Sequence, residues 1–318
     1  MGAGIVPPCG SVAQEWETVG MPQAMLTNGM SIEFESLGAD DAPVMLWIMG
    51  FTAQMTAWDD RFLARFVDQG FRVVRFDNRD CGLSTKLDGV VAPTDQVTAA
   101  VLMGQTPPAV PYTLSDMAAD AVGVLDHLGI ERAHVIGASM GGMIAQTFAI
   151  EHPGRTASLT SIMSMPGDVA YGTPTPEAMA ALLAPPPPSR ADYIESAANW
   201  AVWCSKKHFD LAEAKDRAGR EYDRSFYPEG AHRQLAAIYA SGDRSEKLRA
   251  LGIPSLVIHG RDDTLITPSG GERTAELIPG ARLLMVEDMG HDLPAPLWDV
   301  YVEEICDHAR AATAGAGR

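Results

Sequence analysis

Cysteine is scarce and scattered in this 318-residue chain: Cys9, Cys81, Cys204 and Cys306 are the only four, and none stands in a Cys-x-x-Cys pair. That spacing argues against a zinc site or a dithiol redox pair, and it suits a reducing compartment. Positive charge is short as well: 24 Lys and Arg face 41 Asp and Glu, a net charge of −17. Such a field repels polyanions, which argues against a nucleic-acid partner. No apolar run approaches the ~18 residues that a membrane-spanning helix needs. The N-terminus has no basic segment followed by an apolar core, so no signal peptide is expected and a cytoplasmic location follows. Internal repeats are missing too. With 46% apolar and 20% charged residues, the composition is that of a globular protein able to bury a substantial core. It leaves homo-oligomerisation open.

What the chain does have is an alternation of short apolar runs and helix-like stretches. Residues 31–35, 44–49, 71–76, 133–136, 159–163, 255–259 and 282–286 read as strands. The run Val44-Met45-Leu46-Trp47-Ile48-Met49 is apolar throughout, as a strand covered on both faces would be. Helices are expected over 58–69, 113–128, from the 140s to His152, 269–278 and 296–311, the second with Thr113 and Asp116 at capping-box spacing. Residues 84–111 read as a polar, proline-rich loop, residues 1–28 as loosely ordered and 311–318 as a mobile tail. The rhythm breaks over 166–245, which holds four consecutive prolines (185–188) and helical stretches with Trp200 and Trp203. The expected architecture is an α/β core of residues 1–165 and 246–318, interrupted by a helical insertion over 166–245.

The strongest single motif is Gly137-Ala138-Ser139-Met140-Gly141, between an apolar strand and a helix. A serine on so sharp a turn stands exposed above the sheet, and its neighbours must be small for the chain to bend. Taken alone, the pattern also fits a glycine-rich turn with no chemistry. A nucleophile needs a base, an acid and a site for negative charge. Open parallel sheets carry their sites at the carboxyl ends of the strands, and two later ends supply candidates. Residues 260–268 hold the adjacent pair Asp262 and Asp263, and residues 287–292 hold His291. The order Ser, Asp, His is the one this kind of elbow uses. Among the other histidines, His259 ends a strand just before the acid pair and reads as a packed neighbour of the site.

Across about residues 25–310 the chain resembles the α/β-hydrolase superfamily, a mostly parallel sheet flanked by helices with an inserted helical cap. The stretches 48–58 and 75–84 resemble a bacterial subgroup that includes carboxylesterases and anthracycline methylesterases. The resemblance implies a serine ester hydrolase that uses no cofactor and no metal and takes a small-molecule ester. It places the acid three residues after the glycine ending its strand, at Asp263, with Asp262 as the alternative, and it completes the triad with Ser139 and His291. The oxyanion donors it implies are the backbone N–H groups of Met140 and Phe51. Where the family usually has His-Gly before the second donor, this chain has Met49-Gly50. Gly50, Met163, Met165, Trp200 and Trp203 are candidates for substrate contact, with Met179, Tyr193 and Phe209, although the aromatic residues of the insertion serve equally well to hold it together. The loop Arg75–Ser84 reads as a structural element tied by Asp77 and Arg79. Carbon–carbon bond hydrolases and perhydrolases share the triad, and a ligand-binding member of the fold with little turnover is the alternative from another class.

Overall fold

The computed structural model describes residues 22–316. Eight strands form one sheet: β1 (Gln23–Met25), β2 (Ser31–Leu37), β3 (Val44–Ile48), β4 (Arg72–Phe76), β5 (Ala133–Ala138), β6 (Thr156–Ile162), β7 (Ser255–Gly260) and β8 (Arg282–Val286). They lie in the order β1-β2-β4-β3-β5-β6-β7-β8. β1 and β2 are antiparallel to their neighbours and all later pairings are parallel. The apolar runs account for this: every residue of β3, β5 and β7 is buried, as strands covered on both faces require. Successive side chains point to opposite faces. Thus Val44, Leu46 and Ile48 of β3 enter one core layer, while Met45 and Trp47 enter the other.

The first layer is closed by α3 (Leu114–His127) and α4 (Met140–Glu151). The second is closed by α1 (Asp60–Asp68) and α11 (Trp298–Ala316), around an edge-to-face cluster of Trp47 with Trp58, Phe62 and Phe66 at 4.8–5.8 Å. α4 is buried along nearly its whole length, so it has no polar face and must lie inside the fold. Capping fixes where α1 and α3 begin. The Asp59 carboxylate accepts from Arg61 N–H, and Thr113 and Asp116 form the expected capping box. Between β6 and β7 lie α5 (Pro176–Leu182), α6 (Arg190–Ser196), a 3₁₀ turn (Ala197–Val202), α7 (Leu211–Arg224), α8 (Glu229–Ser241) and α9 (Ser245–Arg249); α10 (Pro268–Leu277) follows β7.

Three expectations need correction. The segment 84–111 is not all loop, because α2 (Thr94–Leu102) lies within it. Only Thr94 and Val97 of this helix are buried, so its sequence carries little helical periodicity. It is held by docking: Thr94 Oγ1 donates to the His232 carbonyl on α8 at 2.8 Å. The expected loose segment 1–28 falls largely outside the described residues, but Gln23–Met25 within it is a strand paired to β2. The tail expected to be mobile from 311 continues α11 to Ala316.

A buried histidine makes the fold pH-sensitive. His134 on β5 is pushed down from 6.5 to about 4, first by burial and then by the positive charges of His308 and Arg132. Between those pH values the unfolded chain binds a proton that the folded chain does not, so this contribution is full above pH 6.5 and is lost as pH falls. From pH 7.5 to 5 it amounts to about 2 kcal/mol. In urea unfolding, His134→Gln is expected to lose less stability than the parent over that interval, by about that amount. Equal losses would show that His134 does not carry it.

Candidate active site

Strand order reverses where β3 lies between β4 and β5, the place where an open α/β sheet forms a crevice. Backbone strain gathers at the same edge. All five non-glycine residues with positive φ among those described, Thr52, Asp80, Ser139, Met163 and Asp288, follow the carboxyl ends of strands.

Ser139 has φ 57° and ψ −122° and stands immediately before α4. A conformation of this kind costs on the order of 1–3 kcal/mol and persists only where the surroundings enforce it. Here the Ser139 N–H donates to the Ile162 carbonyl at 2.9 Å, while its own carbonyl accepts from Ser164 Oγ at 2.8 Å and Gly142 N–H at 2.9 Å. The glycines are a matter of space. A Cβ on Gly137 would lie 2.0 Å from the Gly141 carbonyl oxygen, and one on Gly141 would lie 2.1 Å from the Ile48 carbonyl oxygen. The chain can make this turn only without those side chains.

Gly50, at the end of β3, faces the serine: a Cβ there would be 3.1 Å from Ser139 Cβ and 3.6 Å from its Oγ. The carbonyl of Gly50 accepts from Ala53 N–H at 3.3 Å, and Thr52 N–H donates to Gln234 Oε1 at 2.8 Å. The Phe51 N–H between them has no acceptor among the described residues, and neither has the Met140 N–H at the first position of α4. The two expected oxyanion donors are therefore open amides at adjacent strand ends.

Asp263, rather than Asp262, meets His291: Asp263 Oδ2 lies 2.7 Å from His291 Nδ1. Against a carboxylate that nitrogen carries the proton, which leaves Nε2 as the basic atom. Asp263 is buried, and its Oδ1 accepts the N–H groups of Leu265 and Ile266, both at 2.9 Å. Burial alone would raise its pKa. The His291 charge and hydrogen bonds from His259 and His291 outweigh that and hold it below the usual carboxylate range. His259, fully buried, donates through Nε2 to the Ile266 carbonyl at 2.8 Å, with that nitrogen 3.5 Å from Asp263 Oδ2. It is the packed neighbour that its position suggested. The Ser139 hydroxyl makes no hydrogen bond to His291 among the described residues, so the serine–histidine contact is not closed in this conformation.

The loop carrying His291 is held from the β6–β7 connection, a support with no signal in the sequence because its partners are some 80 residues apart. His291 N–H donates to the Trp203 carbonyl at 2.6 Å, Ser205 N–H donates to Asp292 Oδ1 at 2.9 Å, and Ser205 Oγ donates to the Asp288 carbonyl at 2.6 Å. On the acid loop, Thr264 Oγ1 donates to the Val202 carbonyl at 2.7 Å. Asp292, largely enclosed, is pushed up by burial, partly offset by the Ser205 and Gly290 amides.

The remaining candidates divide. Met163 is buried with φ 41° directly after β6. Met165 packs against the first core layer, and its carbonyl accepts from Arg244. Trp203 contributes the backbone contact just described. Trp200, Tyr193 and Phe209 pack around Ala197, Ala214 and Ala218, with the Arg217 guanidinium 4.4 Å over the Trp200 ring. These three hold the helical segment together. Asp77, Arg79 and Asp80 are likewise structural: they pair with Arg224, Asp120 and Arg233, and Asp77 also accepts from Met55 N–H at 2.7 Å. No group of three or more His, Cys, Asp and Glu among the described residues is arranged to hold a metal ion.

A mostly parallel sheet with a strained serine between β5 and α4, and an Asp–His pair after β7 and β8, defines the α/β-hydrolase class. Residues 43–294 match the family of the alpha/beta hydrolase fold, and the chain belongs to that family. Rhodomycin D methylesterase DnrP of Streptomyces peucetius is 29% identical, over 92% of this chain and 100% of that one. Among solved structures, the enol-lactonase from Burkholderia xenovorans LB400 aligns with a TM-score of 0.67 and 23% identity, over 90% of this chain and 99% of that one. A meta-cleavage product hydrolase from Pseudomonas fluorescens IP01 aligns with a TM-score of 0.69 and 19% identity, over 92% of this chain and 98% of its own. No helix among the described residues is long and apolar enough to cross a membrane.

Proposed function

We propose that the protein is a carboxylic ester hydrolase acting through an acyl-enzyme on Ser139. The observation that carries this reading is the 2.7 Å contact of Asp263 with His291 at the sheet edge where Ser139 stands. Ser139 Oγ attacks the ester carbonyl as His291 Nε2 takes its proton, and Asp263 fixes the tautomer and stabilises the imidazolium. The oxyanion is held by the Phe51 and Met140 amides. His291 returns the proton to the departing alcohol. Water, activated by the same histidine, then releases the acid and regenerates the serine. No step requires a cofactor or metal. Catalytic hydrogen bonds are often long in unliganded enzymes, so the open Ser139–His291 contact is compatible with this sequence.

Residues 166–245 serve in this reading as a cap over the site, and the small-molecule substrate is an ester of small to medium size. The methylesterase relative favours a methyl ester. The location proposed is cytoplasmic. A fluorophosphonate probe is expected to label Ser139 and no other serine, read by peptide mass spectrometry. Turnover of p-nitrophenyl esters is expected to peak at short or medium acyl chains; a profile flat to long chains would remove the closed cap. Labelling of another serine would remove the mechanism. Tight ester binding without turnover would point to a binding protein instead.

A further inference from the structure

The Phe51 amide is aimed by a residue far away in the chain. In a trans peptide the C=O and the next N–H point in opposite directions. The hydrogen bond from Ala53 N–H to the Gly50 carbonyl therefore turns the Phe51 N–H to the other side of the turn. The turn depends on Thr52, whose φ of 57° is unfavourable for a β-branched residue. What holds Thr52 there is Gln234 on α8, fully buried, with both ends of its amide occupied. Oε1 accepts Thr52 N–H at 2.8 Å, and Nε2 donates to the Arg79 carbonyl at 3.0 Å. The second bond ties in the turn after β4, where Asp80 is the next left-handed residue, at φ 62°.

α8 is itself fastened to that turn. Arg233 makes two bonds to the Asp80 carboxylate, both 2.8 Å and both buried, and a Cβ on Gly230 would lie 2.1 Å from the Asp80 carbonyl oxygen. The Gln234 amide thus sits on a fixed helix and bridges two strained turns at the ends of β3 and β4. Its primary amide can accept from Thr52 and donate to Arg79 at once.

We propose that Gln234 is a positioning residue for the oxyanion hole, holding the Gly50–Ala53 turn so that the Phe51 N–H is presented to the reacting carbonyl. The inference rests on the ester-hydrolase reading above. Without Gln234 the turn can relax toward the favoured region of φ, and the donor is lost in the transition state while the pocket that binds the ground state is unchanged. Losing one oxyanion donor costs about 10²–10³ in turnover number, and a misaligned one costs less.

The test compares the parent, Gln234→Leu and Gln234→Glu on a p-nitrophenyl ester, with a trifluoromethyl ketone as inhibitor. That ketone adds to the serine and places a negative oxygen in the hole. Gln234→Leu is expected to lower kcat roughly 10- to 100-fold, with KM within about twofold and ketone affinity falling in proportion to kcat. Gln234→Glu keeps an acceptor for Thr52 but, when ionised, loses the donor to Arg79, so it is expected to recover part of the loss only toward acidic pH, where its carboxyl is protonated. If Gln234→Leu fails to fold, Gln234→Asn, one methylene shorter, is expected to show the same parallel loss. Unchanged kcat in the folded variant, or a fall in kcat without a fall in ketone affinity, overturns the proposal. A Ser139→Ala arm separates the two levels: if that variant stays active, the acyl-enzyme reading fails; if it is inactive while Gln234→Leu is normal, only the positioning role fails.

Discussion

Ser139→Ala is expected to lower the turnover number about 10⁶-fold, with folding unaffected and KM little changed. Under the proposed mechanism the hydroxyl is the only atom that bonds to the substrate. Removing it therefore removes the covalent route and leaves the residual catalysis that the open amides and binding provide. The variant should fold because the elbow is enforced by backbone contacts: Ser139 N–H to Ile162, and the Ser139 carbonyl to Ser164 and Gly142. Alanine keeps all of these. Relief of a polar group and retention of the positive φ give effects of opposite sign on stability, so the melting temperature should move by only a few degrees. The check is single-turnover and steady-state hydrolysis of a p-nitrophenyl ester, with fluorophosphonate labelling as the second readout. A variant that keeps more than about a hundredth of the parental turnover would place the nucleophile elsewhere.

The legible parts of this protein are those written in adjacent residues. Strand β3 is legible as a continuous apolar run, and β5 and β7 as short apolar stretches, because both faces of each are covered. The elbow was readable because Gly137 and Gly141 flank the serine within five residues: the first is demanded by the Gly141 carbonyl close by in the chain, the second by the Ile48 carbonyl of the neighbouring strand. The choice between Asp262 and Asp263 was open from the residues alone, and the resemblance favoured Asp263 while keeping Asp262 as the alternative. Geometry then put the Asp263 carboxylate against His291, while Asp262 spends its N–H on the Met289 carbonyl. What the sequence concealed is tertiary support. α2 escaped notice because two buried residues, Thr94 and Val97, make no helical stripe. Gln234 and Ser205 carry no signal in the sequence because their side chains act on loops 80 or more residues away, and the contact Trp203 makes there is through its backbone carbonyl, which any residue type would offer. Trp200 stacks under Arg217 and packs against Ala197, Ala214 and Ala218, contacts that the sequence around it does not reveal.

Asp263→Asn is expected to lower turnover about 10⁴-fold, while Asp262→Asn leaves it within a few-fold. The asymmetry follows from the hydrogen bonds. In the Asp263→Asn variant the side-chain oxygen can still accept from Leu265 and Ile266, so the loop after β7 should keep its shape. The amide nitrogen then takes the place of Oδ2 beside His291 Nδ1 and donates where the carboxylate accepted. A donor at that position stabilises the tautomer with its proton on Nε2, the atom that must receive the serine proton. It also removes the negative charge that stabilises the imidazolium during attack. The loss should therefore fall on kcat, and fluorophosphonate labelling of Ser139 should slow with it. Stability should change in a pH-dependent way. The Asp263 pKa is lower in the folded protein, so its contribution is present above the usual carboxylate range and is lost as pH falls through the folded value. Parent and Asp263→Asn should accordingly converge in stability at strongly acidic pH and diverge near neutrality. Should Asp262→Asn prove the slow variant and Asp263→Asn the near-normal one, the acid of the triad would have to be reassigned, and the 2.7 Å contact with His291 would be a structural tie only.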